Sequence, residues 1–279
     1  MLTPRFAATL AVSVVVLGGS HRALAQSQSA AVVETPASAV IDTPVAIAGP
    51  NAAIGTQAVP RTPGFKDLFR PLGGDFKGLI SQRNMTMLLV GTASAIGSHS
   101  MDRSLATRPW GQGAVHEALE PGQIVGDLAV QAGAAFATYS VGRLAHDPGI
   151  ARLGAELFRA QLVAQGTTQA IKFAAHRVRP DGSNYSFPSG HTAATFATAT
   201  VLQSHYGWKA GAPAYVVASW VAASRVQTDR HYLSDVIAGA TLGVLAGRSV
   251  TVGQGRARFA LAPMAGAGGI GVGFVHVTR

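Results

Sequence analysis

Seven polar residues between Lys172 and Asp235 have types and spacings that make sense together if they converge on one phosphate-sized anion. They come in three segments: Lys172 to Pro180, then Pro188-Ser189-Gly190-His191, then Ser224-Arg225 followed by His231 and Asp235. Lys172 and Arg179 are spaced by two turns on one face of a helix that Pro180 would stop, so two cations are predicted to point one way. Pro188 to Gly190 reads as a turn before the apolar run Thr192 to Leu202. Ser189 is then placed to cap a helix whose first amides, near Gly190 and His191, offer donors to an oxyanion. His231 and Asp235 stand four apart on a helix predicted from Tyr232 to Gly247. At that spacing a carboxylate reaches one ring nitrogen and fixes the tautomer, leaving the other nitrogen for attack or proton transfer.

Taken together, the three segments resemble the signature of the PAP2 superfamily, KxxxxxxRP, PSGH and SRxxxxxHxxxD. That group holds type 2 phosphatidic acid phosphatases, bacterial acid phosphatases and vanadium haloperoxidases. Each motif alone is weak, but all three occur in order with every fixed position present. The resemblance implies that His231 is a nucleophile forming a phosphohistidine, that Asp235 orients it, and that His191 is the general acid for the leaving alcohol. It further implies that Lys172, Arg179 and Arg225, with Ser189 and the Gly190 amide, hold the phosphate oxygens. The reaction expected is metal-independent hydrolysis of phosphate monoesters or lipid (pyro)phosphates. No cofactor or metal is expected, because the three cations serve where Mg²⁺ otherwise would and no acidic cluster suits Mg²⁺. The same residues would hold vanadate in the alternative, a haloperoxidase; the compact chain favours the phosphatase. An exported module that binds anionic lipid without catalysis is a third class, and it would require a motif residue to be out of place.

These residues need a helical scaffold, and the sequence offers one. Helices are predicted near 79–98, 121–145, 149–178, 189–206, 210–224 and 231–249, rich in Ala and Gly, giving an all-α PAP2-type bundle of about six helices. After residue 250 the pattern alternates over Arg256 to Pro263 and Ile270 to Val277, which predicts a small β-hairpin packed on the bundle. The domain organisation expected is a signal peptide over 1–25, a flexible linker over 26–63, the phosphatase domain over 64–250 and the hairpin extension over 251–279. The first of these rests on Arg5, the apolar run Phe6 to Gly19 and Ala23-Leu24-Ala25, and predicts export to a periplasm. The linker is Ala-, Pro- and Thr-rich with few charges.

With 22 Lys and Arg against 13 Asp and Glu the net charge is +9. That balance favours an anionic small-molecule or lipid substrate, or a membrane surface. Basic runs with interleaved aromatics are lacking, so nucleic acid is excluded as a partner. The chain has no Cys, which rules out disulfides and thiolate chemistry. The apolar runs Met85 to Gly97, Ala212 to Ala223 and Val236 to Gly247 are short for a bilayer, so a soluble or peripheral bundle is expected over a polytopic one. His99 to Gly122 is expected to be a long connecting loop, either covering the site or packed as a connector through Trp110. His99, His116, His146, His176, His205 and His276 lack ligand-like spacing and are expected to be surface or hydrogen-bonded residues.

Overall fold

The computed structural model describes residues 61–107 and 113–251, and the backbone of 258–266 and 269–277. The predicted signal peptide and most of the predicted linker lie outside the described residues, as does Trp110.

A 3₁₀ turn, Phe65–Leu68, precedes nine α-helices among the described residues: α1 (Leu72–Gly78), α2 (Gln82–Ala106), α3 (Ala114–Leu119), α4 (Gly122–Val125), α5 (Leu128–Leu144), α6 (Pro148–Ala175), α7 (Gly190–Tyr206), α8 (Trp208–Gln227) and α9 (Leu233–Val250). The all-α expectation stands, but the helix count differs. Three short helices join the six long ones, and the predicted helix 121–145 is two helices broken at Gly126 and Asp127. Asp127 causes the restart, because its carboxylate accepts the Ala129 amide at 2.8 Å as the N-cap of α5. Asp147 does the same for α6, taking the amides of Gly149 and Ile150, with Pro148 at the first helical position where its missing N–H costs nothing.

The expected loop from His99 to Gly122 is largely helical. α2 runs on to Ala106, and α3 packs on α8, where the Trp220 indole donates to the Ala118 carbonyl at 2.9 Å. The C-terminal strands Arg258–Gly266 (β1) and Gly269–Val277 (β2) pair antiparallel with each other. The expected hairpin packed on the bundle is not supported.

At the centre lies α6, which buries residues along its whole length, among them Leu153, Leu157, Val163 and the polar Gln161. Around it α7 and α9 contribute Ala193, Ala197, Val201, Ala246 and Val250 to one continuous core. α7 and α9 approach so closely that α9 has no room for side chains at the contact. A Cβ at Gly239, Gly243 or Gly247 would lie 2.4, 2.4 or 2.5 Å from Ser189 O, Ala193 O or Thr200 Cβ, so only glycine permits the approach at this 4-residue interval. The consequence is functional: the start of α7 is fixed against the start of α9, and the Ser189 amide donates to the Asp235 carbonyl at 2.9 Å.

Outward faces are apolar in places. Leu89, Val90 and Ile96 on α2, Phe136, Val141 and Leu144 on α5, and Val216 and Val217 on α8 are exposed. Among the described residues one helix, Leu233–Val250, is long and apolar enough to cross a bilayer, and 61% of it is buried in the bundle. The bent pair Ala114–Val125 and Leu128–Leu144 would count as a second if taken as one span.

Candidate active site

Two connections and two helix starts bring the three motif segments together. α6 ends at Ala175 with His176 in the left-handed region (φ 46°), earlier than the sequence predicts. Arg179 therefore sits in the following loop, where its amide donates to the Ser183 carbonyl at 2.7 Å, and not two helical turns beyond Lys172. The fold restores the proximity that the helix was expected to supply, and the Arg179 charge acts on Lys172. His231 is likewise not helical. It precedes α9, and its amide donates to the Arg225 carbonyl at 3.1 Å, which joins two positions of the third motif through the backbone. Asp235 is in the first turn of α9, and its Oδ2 accepts the Tyr232 amide at 2.9 Å, as carboxylates do at helix starts.

Ser189 stands at the N-cap of α7 but does not cap it with its side chain, a correction to the expectation. It is fully buried, and its hydroxyl accepts from the Thr192 hydroxyl at 3.0 Å. Gly190, the first helical residue, has its carbonyl held by the Gln165 amide at 2.9 Å.

A pocket of about 210 Å³ is lined by Gln123, Asp127, Arg179, His191, Arg225, Arg230 and His231. Four of the eight residues singled out from the sequence thus face one space. Asp235 lies behind His231, with Oδ2 3.6 Å from Nδ1, longer than a hydrogen bond. Lys172 is buried, and its Nζ donates to the Tyr185 carbonyl at 2.6 Å; it reaches the site through its charge, which is felt at His231.

The walls are unevenly satisfied. Arg225 is buried, yet its Nε and Nη1 have no hydrogen-bond partner, and neither does Arg179 Nε. Unpaired buried guanidinium nitrogens cost free energy that an anion bound in the pocket would recover. Burial, with the neighbouring cations Arg230 and Arg179, pulls the Arg225 pKa down to about 10. Burial, then Arg179, lowers Lys172 to about 8. The two histidines respond in the same sense. Burial first, then the Arg225 charge, lowers His191 to about 4, and burial lowers His231 to about 4 against the pull of Asp235. Both rings are therefore neutral near pH 7, the form in which an imidazole nitrogen can act as a nucleophile. His191 is held by the Gln123 backbone and by Gly126, where an added Cβ would come within 3.1 Å of the ring and 2.6 Å of Val221.

Several residues here escape sequence reasoning. Gln123, Asp127 and Arg230 line the pocket, while Arg177, Ser186, Ser234 and Asp102 surround Asp235. Arg177 lies inside the first motif at an unspecified position, so its importance had no spacing signal. Asp102 is remote in sequence and was assigned to a loop. Among the described residues no group of three or more His, Asp or Glu is arranged to hold a metal ion.

Comparison with known proteins bears on this stretch. Residues 154–259 match the family model described as PAP2 superfamily, and all three motifs fall within them. Over that stretch the chain is similar to the PAP2 superfamily. The chain is 43% identical over 86 residues to the lipid A 1-phosphatase of Porphyromonas gingivalis, covering 29% of this chain and 19% of that protein. The chain thus spans about a fifth of its relative's length. The first transmembrane PAP2 type phosphatidylglycerolphosphate phosphatase from Bacillus subtilis, a solved structure, is 22% identical with a TM-score of 0.42, over 60% of this chain and 93% of that one. α1 to α5 lie outside the stretch matched by the family model, so Gln123 and Asp127 reach the pocket, and Asp102 the surroundings of Asp235, from elsewhere in the chain.

Proposed function

We propose that this protein is a metal-independent phosphohydrolase that cleaves phosphate monoesters or (pyro)phosphates of lipids through a phosphohistidine. The observation that carries the reading is the single pocket where His191 and His231 face the incompletely hydrogen-bonded Arg179 and Arg225.

In the first step the His231 nitrogen turned away from Asp235 attacks phosphorus in line, forming an N–P bond as the P–O bond to the alcohol breaks. Asp235 stabilises the positive charge that develops on the ring. His191 gives its proton to the departing oxygen. With its pKa near 4 in the free site, His191 gains that proton because the bound phosphate dianion offsets the Arg225 charge that helps depress it. In the second step His191, now neutral, takes a proton from water, whose oxygen attacks phosphorus and releases inorganic phosphate and neutral His231. Arg179 and Arg225, with the nearby charge of Lys172 and the helix start at Ser189 and Gly190, balance the charge on the equatorial oxygens. The work of a divalent cation is thereby supplied by fixed cations.

The relative's name favours a phosphorylated lipid as substrate class, and the exposed apolar residues of α2, α5 and α8 suit contact with a membrane. Residues 1–25 as a signal peptide with periplasmic export, 26–63 as a linker and 64–250 as the catalytic domain complete the reading.

The test is a panel assay of purified protein on an aryl phosphate and a detergent-solubilised lipid phosphate, with vanadate and EDTA arms. Turnover, strong vanadate inhibition and indifference to EDTA are expected. Inhibition by EDTA that one divalent metal reverses would overturn the metal-free mechanism.

A further inference from the structure

The groups that hold the Asp235 carboxylate belong to none of the fixed motif positions, and they lead out of the stretch matched by the family model to α2. Asp235 is fully buried. Its Oδ2, which faces His231, takes the Ser186 hydroxyl and the Tyr232 amide, and its Oδ1 takes Arg177 Nη1 at 2.6 Å. Arg177 is forked. Nη1 also reaches Ser234 Oγ at 2.7 Å, Nη2 donates to Asp102 Oδ2 at 2.7 Å, and the guanidinium lies 4.2 Å over the Tyr232 ring. Asp102 is itself buried, on α2. Its Oδ1 accepts the Ser234 amide at 2.9 Å and its Oδ2 accepts the Ser234 hydroxyl at 2.5 Å. The Ser234 amide is one of the four N–H groups at the start of α9 that have no partner within the helix. Asp102 therefore caps α9 from a different helix.

We infer that Arg177 and Asp102 are positioning residues for His231, acting through Asp235. This inference rests on the phosphohydrolase reading above. Two carboxylates, Asp102 and Asp235, flank the start of α9, and without the cation between them they would repel. With Arg177 in place each oxygen of Asp235 has a fixed donor, so the carboxylate does not rotate and Oδ2 stays turned to the His231 ring. Asp102 holds the other arm of the fork and the helix start, which joins the nucleophile to α2. Neither residue lines the phosphate pocket. Their loss is expected to act on the chemical step and to spare anion binding by Arg179 and Arg225.

The test uses Arg177→Met, Arg177→Lys, Asp102→Asn and the double variant Arg177→Met with Asp102→Asn. Three readings are taken on each: the single-turnover rate of phosphohistidine formation with an aryl phosphate, the inhibition constant of inorganic phosphate, and the ¹⁵N spectrum of the His231 ring assigned against His231→Gln. Arg177→Met is expected to slow phosphorylation about 10²-fold, the size of a small misplacement of reacting groups, with phosphate affinity within a few-fold of wild type. Arg177→Lys should recover part of the rate. The double variant should be little worse than Arg177→Met, because both act through one contact. In the spectrum a single Nδ1-protonated tautomer in the wild type should become a mixture. The inference is overturned if Arg177→Met phosphorylates at the wild-type rate, if rate and phosphate affinity fall together, or if Arg177→Lys restores nothing. The ring spectrum needs no turnover. A wild-type protein that hydrolyses no phosphate ester would sink the functional reading, while an unchanged tautomer in Arg177→Met would sink the positioning role alone.

Discussion

The two sides of the His231 ring are built on opposite principles. Behind it Asp235 is saturated, with donors from Ser186, Tyr232 and Arg177 and with Arg177 tied in turn to Asp102. In front of it Arg225 is buried with two guanidinium nitrogens unpartnered, close to Arg179, Lys172 and two histidines whose charged forms are disfavoured. The anionic side is complete without a ligand; the cationic side is not. A group whose hydrogen bonds are all made within the protein contributes to stability, whereas one left short of partners at a pocket wall is a cost of folding that substrate binding recovers. The same site thus contains a structural half and a functional half.

The largest expected effect lies on the ring between them. His231→Ala should lower kcat by roughly 10⁴-fold or more, as removal of a nucleophile does, with an unchanged far-UV spectrum. Near wild-type turnover in the purified variant would show that the ring does not form the bond to phosphorus.

The comparison itself is tested by one substitution on each side. Arg225→Met should cost about 10² to 10³-fold in kcat and leave the unfolding midpoint unchanged or higher, since a poorly paired buried charge is replaced by an apolar chain of similar length. Asp235→Ala should also lose activity but destabilise by about 3 kcal/mol, the order found when one partner of a buried ion pair is removed. Denaturant unfolding measures both, and midpoints that move in the same direction by the same amount would erase the distinction drawn here.

A smaller effect separates the histidines. His191→Ala should slow an alkyl or lipid phosphate far more than a nitrophenyl phosphate under single-turnover conditions, because only the poorer leaving group needs the proton. Equal loss on both would make His191 an anion-binding residue. Gentler still is the pH dependence of stability. An unfolded histidine takes up a proton near pH 6.5, whereas His191 and His231 in the fold resist it down to about 4. The unfolded chain then binds more protons between those values, and stability present above pH 6.5 is lost as pH falls from 6.5 to 4. A thermal-unfolding series should show the midpoint dropping by several degrees over that window, with a shallower slope in His231→Ala; parallel slopes would mean the ring is not buried neutral.

The candidate residues were legible in the sequence because the chemistry proposed for them demands particular types. A nucleophile, an acid and three cations have few substitutes, and the turn residues Pro180 and Pro188-Ser189-Gly190 mark where the chain must change direction. The all-α character was legible in long runs rich in Ala and other small residues, bounded by turn residues. Helix ends were less so. The expected continuity from Lys172 to Arg179 failed because His176 adopts the left-handed region and ends α6, a choice stabilised by the loop that follows and not by propensity. His231 was likewise placed on a helix that begins only at Leu233.

By itself, then, the sequence singled out the candidate residues, showed that a helical scaffold carries them, and pointed to an anionic substrate. Only the tertiary structure decided which of those residues face the pocket, that Lys172 acts from behind it, and that Ser189 does not cap α7 with its hydroxyl. It alone brought in Gln123, Asp127, Arg177 and Asp102. The physical reason is the range of the forces involved. Caps, turns and amphipathic stripes are set by neighbours within about four residues along the chain. The satisfaction of a buried charge depends on whichever side chain packing brings within 3 Å, and here that partner, Asp102, is 75 residues from Arg177 and 132 from Ser234.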